Sequence, residues 1–507
     1  MGVDFDIQSF PYIYPMKKVV VFGAGKSATV LIDFFKEVTI AKEFAVVVAD
    51  YDLAVVQEKV GSHYWVQAVQ IDIKDDAARR ELVASADVVV SLMPPALHYL
   101  IAQDCIAYKK HFLTASYVDD AIQQHTDEIK NSGVLFLFEM GLDPGIDHMS
   151  AMKLIHSIQQ AGGEITSFVS HCGGLVSPES DDNPWHYKIS WNPRNVVLAG
   201  KAGAIYREYN QTVQLAYESL FNNKKLVATP RDGNWAYYPN RNSLSYIPLY
   251  GLESAETFVR TTLRHPNFLS GWKEVVYLKL TDEQKLYETD GMTLAKFFQD
   301  HFLQHQLTEW LKNVVQKLNT IKNHIEELIQ LPGEGDAMVR AFSFNDEHNE
   351  AYEYVTKSEA IDNCMKRIHS INTGLEQLFY LGMDDEHTYI NKGLCSAADV
   401  LQFIMETKWK LYPADKDMII MKHEIEYLLH GKKHLVDSTL VVKGEDSLRT
   451  AMAKTVSLPL GIATVLLLEN KITITGLHIP ILPALYEPVL EQLAKYDVQF
   501  EEHFSVI

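Results

Sequence analysis

The sequence predicts an α/β protein: a parallel sheet with helices on both faces, followed by an α+β unit that carries a helical insertion. Three observations carry this prediction. Between Lys17 and Gly141, near-continuous apolar runs of β-type residues alternate with helix-like segments, a pattern that calls for a parallel sheet covered on both faces. The first run ends in Gly23-Ala24-Gly25-Lys26-Ser27-Ala28, which opens a helix-like stretch. After Gly141 the alternation stops, and helical and strand patterns mix with many polar and aromatic residues.

The strand-like runs are 19–22, 44–49, 65–71, 87–92, 111–114 and 134–138. Gly23 permits the tight turn after the first, Gly25 lets the backbone approach a pyrophosphate, and Ala28 allows close helix–strand packing. Lys26 and Ser27 complete this Rossmann-type loop, whose free N–H groups at the helix start face phosphates. Asp50 ends the second run. A carboxylate there accepts the ribose hydroxyls of NAD and repels the extra phosphate of NADP, so NAD is expected in preference to NADP. The other reading of Asp50 is a cap for the next helix. Ligands gather at the carboxyl ends of such strands, which brings 91–98 and 114–117 to the same edge as Gly23 and Asp50.

Residues 146–285 and 405–446 read as an α+β substrate-binding and dimerisation domain beside a nucleotide domain at 15–145. A helical subdomain is expected over 286–404. In it Leu307, Trp310, Leu311, Val314, Leu318, Ile321, Ile325 and Leu328 recur at helical spacing until Pro332-Gly333, a stripe that faces a core or a dimer partner. Strands return near 417–421 and 438–442. A last helix over 447–468 then begins a C-terminal segment, 447–507, expected to pack back on the nucleotide domain, because 458–468 is too apolar to stand free.

Composition narrows the function. The 507 residues are 47% apolar and 22% charged, with a net charge of −20. That balance suits a globular protein and argues against nonspecific nucleic-acid binding, which needs a basic footprint. Cys105, Cys172, Cys364 and Cys395 lack metal-site or disulfide-framework spacing, which fits a reducing cytoplasm and no bound metal. Residues 1–14 show no basic-then-apolar leader, and Asp6 stands where a myristoylation signal needs Ser or Thr. The run 458–468 is shorter than the ~20 residues of a membrane helix. The expectation is a cytoplasmic protein without membrane or nucleic-acid partners.

Several polar segments look too specific for packing. The ordered series SLMP, TASY, GLDPGIDHM, CGGL, SWNP, YPNR and RTTLR, then MIIM and AMAKTVSLP, resembles that of the glutamate-forming saccharopine dehydrogenases of lysine metabolism. The resemblance spans nearly the whole chain and is weakest over 285–410. It implies a homodimeric, NAD-dependent oxidation of saccharopine to glutamate and 2-aminoadipate 6-semialdehyde, with hydride transfer at a secondary amine followed by imine hydrolysis. The neighbouring readings are a dehydrogenase of carboxyspermidine type and a nucleotide-binding protein without turnover.

The resemblance also implies a cofactor surface of Gly23, Gly25, Lys26, Ser27, Ala28, Asp50, Asp72, Ile73, Leu92, Met93, Leu142, Asp143, Pro144 and Trp191. Substrate would meet Ser116, Tyr117, Arg241, Arg260, Thr261 and Thr262. Arg241 and Arg260 are carboxylate clamps by chemistry, since guanidinium pairs with carboxylate through two parallel bonds; the other reading of each is a structural ion pair. Asp143 is an acid–base group, a helix cap, or both. Tyr117 is a catalytic candidate for proton transfer that also hydrogen-bonds substrate, or a core tyrosine. Cys172 is a catalytic candidate that its motif brings close to substrate, as a thiolate or as a small residue at a tight backbone turn. Asp147 caps a helix or partners His148, and His148 is a base or a structural histidine. Trp191 stacks on ligand or fills a core. Pro95 departs from the tyrosine that related sequences often carry after the SLxP segment.

Overall fold

The computed structural model describes residues 16–222, 225–229, 233–346 and 349–507; the leader and acylation readings made on residues 1–14 lie outside them. Six parallel strands, β1 (Lys18–Phe22), β2 (Ala45–Asp50), β3 (Val66–Gln70), β4 (Val88–Ser91), β5 (His111–Thr114) and β6 (Leu135–Leu137), form the nucleotide-type sheet. The strand Gly476–His478 returns from the C-terminal part to extend it beside β6, giving the order 476–478, β6, β5, β4, β1, β2, β3. Val19, Val20, Val21 and Phe22 are all fully buried. Both faces of the central strand are therefore covered, which is why these runs are continuously apolar rather than alternating.

Four helices follow the first strands: α1 (Ala28–Lys42), α2 (Leu53–Val60), α3 (Asp76–Ser85) and α4 (Pro95–Tyr108). Pro95 occupies the first turn of α4, where its missing N–H is harmless. The cap of α2 is Asp52, which accepts Ala54 N–H at 3.0 Å and Val55 N–H at 3.2 Å. The capping role considered for Asp50 thus belongs to its neighbour two residues on.

The second layer is a ten-stranded mixed sheet. Its centre is β7 (Glu164–Val176), paired in parallel with Thr257–Arg264 and antiparallel with Asp417–Leu429. The 18-residue helix Ala451–Leu468 is 89% buried. It packs on α1 within one core that joins both sheets, so its apolar character is that of a core helix. The last strand, Glu501–Val506, pairs with Lys432–Lys443 of the mixed sheet.

The segment read as wholly helical is not. Between helices Trp310–Gln330 and Lys357–Tyr380 the strands Met338–Asp346 and Asn349–Thr356 form an antiparallel hairpin. Part of the apolar stripe closes a small core there: Ile321 and Leu328 bury against Val339, Ala360 and Cys364. Leu307 and Trp310 pack instead on the larger core beneath the mixed sheet, and Leu311 is exposed. All four cysteines are buried free thiols, and among the described residues no cluster of His, Cys, Asp and Glu could hold a metal ion.

Candidate active site

Beyond β6 the chain makes a tight turn, Gly141 to Gly145, before the helix Ile146–Gln160. Gly145 has φ +147°, and a Cβ there would lie 2.1 Å from Gly141 O; only glycine closes this turn. The turn delivers Asp143 to the carboxyl edge of the nucleotide sheet, and Asp147 Oδ1 pins it by accepting Gly145 N–H at 2.6 Å.

Arg260, on the strand Thr257–Arg264, meets this turn from the mixed sheet. Its Nη2 donates to Asp143 Oδ1 at 2.6 Å and to Asp147 Oδ2 at 2.7 Å, and its guanidinium lies 4.4 Å from the Tyr246 ring centroid. One cation thus serves two carboxylates, Asp147 fully buried and Asp143 half-buried at the edge of the sheet. Burial, with Asp147's charge behind it, pushes the Asp143 carboxyl up to about 6, against the pull of Arg260. Asp147, more deeply buried but beside His148 and Arg260 and bonded to Gly145 N–H, is held below the usual range. Asp147 therefore keeps the charge that balances Arg260, and Asp143 is the member that titrates. Two like groups pushed apart in this way are the signature of an acid–base assignment.

Behind them runs a buried polar chain. His148 Nε2 meets Glu139 Oε2 at 2.8 Å, His148 Nδ1 meets the Tyr250 hydroxyl at 2.5 Å, and Tyr246 donates to Glu139 Oε2 at 3.2 Å. His148 and Asp147 are thus structural members of the centre, reaching inward from it.

On the other wall, Tyr117 is half-buried, with the Arg241 guanidinium 5.1 Å from its ring centroid. Arg241 is exposed and has φ +50°, a left-handed conformation that costs a non-glycine residue about 1 kcal/mol and concentrates at functional sites. Burial raises the Tyr117 phenol far above its ordinary value, so it is a donor and never a phenolate at neutral pH. Ser116 Oγ lies 2.6 Å from His98 Nε2, and His98 Nδ1 lies 2.8 Å from Ser91 Oγ. Burial pushes His98 down to about 4, so it is neutral and holds both hydroxyls. The sequence places 91–98 at this edge but gives His98 no role; its contact with Ser116 across two strand ends supplies one.

Cys172 is opposite Thr262 in register and shares the face of Arg260. Burial raises its thiol well above the ordinary value, so it is no thiolate. Thr261 points to the opposite face and bonds His171 Nδ1 at 2.6 Å; the structure does not bring it to the site. Trp191 Nε1 donates to the Tyr187 hydroxyl at 3.0 Å, and its ring packs against both major cores.

At the glycine loop, a Cβ on Gly25 would meet nothing within 4 Å, so space for a pyrophosphate is open there. A cleft of about 230 Å³ adjoins the loop, lined by Gly25, Lys26, Lys59 and Thr450 among others. Asp50 faces it differently than expected: Oδ2 accepts Ala24 N–H at 2.7 Å and Oδ1 accepts Asp52 N–H at 3.2 Å. Lys59 Nζ bonds Ala24 O at 2.8 Å and Gly25 O at 2.6 Å, placing a cation on the same loop. Ser27 O accepts the Ser457 hydroxyl, and Ala28 is buried against the sheet. Leu92, Met93, Leu142 and Pro144 line the carboxyl ends of β4 and β6, half-buried to buried. Asp72 is exposed and caps its own turn through Lys74 N–H at 2.9 Å, while Ile73 is buried.

A parallel sheet with a glycine loop at one strand end and a carboxylate–arginine centre at another, faced by a second mixed sheet, defines a two-domain, nucleotide-dependent dehydrogenase. Residues 19–137 match the family model described as the saccharopine dehydrogenase NADP binding domain, and 141–498 match that of the saccharopine dehydrogenase C-terminal domain. The chain belongs to the saccharopine dehydrogenase family. It is 30% identical to the saccharopine dehydrogenase [NADP(+), L-glutamate-forming] of Saccharomyces cerevisiae, over 86% of this chain and 88% of that one. The protein of the same name from Schizosaccharomyces pombe is 28% identical over 96% and 99%. The alpha-aminoadipic semialdehyde synthase of Arabidopsis thaliana is 30% identical over 98% of this chain and 46% of its own length, so the chain spans about half of that relative. Among solved structures, the apo saccharopine dehydrogenase (L-Glu forming) of Saccharomyces cerevisiae superposes with a TM-score of 0.76 at 26% identity, covering 96% of this chain and all of that one.

The comparisons overturn the expectation of NAD. The matched domain is an NADP-binding one, and both yeast relatives carry NADP(+) in their names. The physical reason is local. Asp50's carboxylate is turned into the loop and turn, each oxygen accepting a backbone N–H, and the Lys59 ammonium is held on the same loop, where it offsets the Asp50 charge.

Proposed function

We propose that the protein is an NADP-dependent, glutamate-forming saccharopine dehydrogenase. The observation that carries this reading is Asp143, a half-buried carboxyl raised to about 6 at the carboxyl edge of the nucleotide sheet and tied to Arg260 from the facing sheet. NADP supplies, when bound, an acceptor for a hydride from the substrate carbon next to the secondary amine. Gly23, Gly25 and Ala28 would hold its pyrophosphate, and Lys59 with Lys26 would face its additional phosphate.

The chain's own residues then have defined work. Asp143 accepts the proton of the substrate ammonium, which frees the nitrogen lone pair that drives hydride departure. After the hydride has left, Asp143 gives this proton up to solvent. Ionised again, it takes a proton from the water that adds to the iminium carbon and delivers it to the nitrogen. As the C–N bond breaks it accepts the proton of the carbinolamine hydroxyl, leaving the semialdehyde and glutamate, whose amine takes that proton up. A carboxyl near 6 performs these transfers close to neutral pH. Tyr117 and Ser116 donate hydrogen bonds to substrate, and Arg241 pairs with a substrate carboxylate from the open side. A homodimer belongs to the same proposal and is read by light scattering of the purified protein.

The direct test is absorbance at the reduced-nicotinamide band with saccharopine and NADP or NAD, against related carboxylated amines. Turnover of saccharopine with NADP is expected; activity only on another amine would sink the reading.

Lys59 gives a second test. Its three N–H groups serve two loop carbonyls and leave one for a phosphate. A hydrogen bond to a charged group contributes roughly 1.5–3 kcal/mol, or about 10- to 100-fold in affinity. Lys59→Ala should therefore weaken NADPH binding by about that factor in a fluorescence titration while NADH binding changes little. Equal losses for both would make Lys59 a loop-bracing residue only.

A further inference from the structure

Ser91 ends β4 and is fully buried. Its hydroxyl carries one proton, and among the described residues that hydroxyl meets a single hydrogen-bonding atom, His98 Nδ1 at 2.8 Å. A buried hydroxyl whose proton finds no acceptor carries the full desolvation cost of an unmade bond. Ser91 Oγ therefore donates, and Nδ1 accepts with its lone pair. His98 is neutral, so its one ring proton sits on Nε2.

The groups around Nε2 fit a donor there. Nε2 lies 2.6 Å from Ser116 Oγ and 3.5 Å from Thr114 Oγ1. Thr114 spends its own proton on Ser91 O at 2.9 Å, so toward the ring its oxygen can only accept. The backbone of Ser116 is pinned as well: its N–H donates to Thr114 Oγ1 at 3.3 Å and its carbonyl accepts Glu139 N–H at 3.0 Å. With Nε2–H donating to Ser116 Oγ, the one uncommitted atom of Ser116 is its hydroxyl proton.

The direction of that proton decides what Ser116 can bind. Ser116 is half-buried beside Tyr117, whose phenol feels the Asp143 charge, so it borders the acid–base centre. With the ring proton on Nδ1, Ser116 would donate back to Nε2 and turn its lone pairs on a substrate rich in carboxylates. With the ring proton on Nε2, the Ser116 O–H is free to face the open side. We propose that His98 is a positioning residue: held by Ser91 in its Nε2–H form, it fixes Ser116 as a hydrogen-bond donor to a carboxylate of the substrate. This rests on the reading of the substrate as saccharopine.

The test uses full-length protein with NADP and saccharopine. Ser116→Ala removes the donor and should raise the saccharopine KM about 10- to 100-fold, the usual loss for a hydrogen bond to a charged group. Ser91→Ala touches no substrate but frees the ring to take either tautomer; it should raise KM at least about threefold, with kcat and NADPH affinity little changed. In the Ser116→Ala background Ser91→Ala should add nothing, because its effect passes through the Ser116 hydroxyl. A wild-type KM in Ser91→Ala, or the same factor added on top of Ser116→Ala, would overturn the proposal while leaving the proposed function standing. The tautomer is read separately, by nitrogen NMR of protein labelled with 15N-histidine, the His98 signals being assigned by their loss in His98→Asn. Wild type should show a bare Nδ1 and a protonated Nε2, and a protonated Nδ1 would overturn the proposal even if Ser91→Ala does not fold. A wild type with the expected tautomer that fails to oxidise saccharopine would instead overturn the proposed function, and with it the substrate assigned to Ser116.

Discussion

Asp143→Asn should lower turnover by about two orders of magnitude or more and remove the acidic limb of the pH profile, with NADPH affinity close to wild type. The sign follows from the role. In the oxidative direction Asp143 must be ionised to take the ammonium proton. Its carboxyl is raised to about 6 by burial and by Asp147, so kcat/KM should fall tenfold per pH unit below about 6 and level off above it. Asparagine keeps the shape and a hydrogen-bond acceptor for Arg260 but cannot exchange a proton. Its residual activity should therefore show no limb near 6. Full turnover in the variant, or a limb that survives unchanged, would transfer the proton step to water held by Tyr117 and Ser116. Tyr117→Phe alone should leave the limb where it is, because the phenol stays protonated across this range.

The parts of this protein that were legible in the sequence are those whose signal is local. Strands β1 to β6 were visible because a sheet covered on both faces demands unbroken apolar runs, and their ends were marked by Gly23, Asp50, Ser91 and Thr114. Asp143 was visible because Gly141 and Gly145 bracket it in a turn. What failed depended on contacts across the fold. The position of Asp50 at the end of β2 could be read, but not that Ala24 and Asp52 N–H groups already occupy its oxygens. Lys59 reaches the glycine loop from the end of α2, and no spacing rule announces that. Arg260 and Thr261 were grouped as neighbours in sequence, yet adjacent strand residues face opposite ways; one meets Asp143 and the other His171. The hairpin Met338–Asp346 with Asn349–Thr356 was hidden by helices on either side, although its run of β-branched and aromatic residues carried a strand signal.

Arg260→Met should cost about 3–5 kcal/mol of stability, the largest structural effect expected at this site. Arg260 is 5% exposed and bonds one buried and one half-buried carboxylate. Methionine fills much of its volume but strands Asp143 and Asp147 without a counter-charge. The cost arises chiefly from the stranded anions rather than from the lost bonds, and this is open to a mutant cycle. Asp147→Asn in the Arg260→Met background should recover a large part of the loss in urea denaturation, because it removes the anion that cannot be relieved otherwise. Asp147→Asn alone should destabilise. The pH profile gives an independent check of the same physics. Arg260 pulls the Asp143 carboxyl down against burial; without the guanidinium the protonated form gains, so the acidic limb should move to a pH above 6. Arg260 also joins the strand Thr257–Arg264 of the mixed sheet to the turn that follows β6, so its loss should loosen the contact between the two sheets there. An Arg260→Met protein with wild-type stability and an unmoved limb would mean that Asp143 and Asp147 find solvent or another cation, and that the two sheets are held together by their apolar core alone.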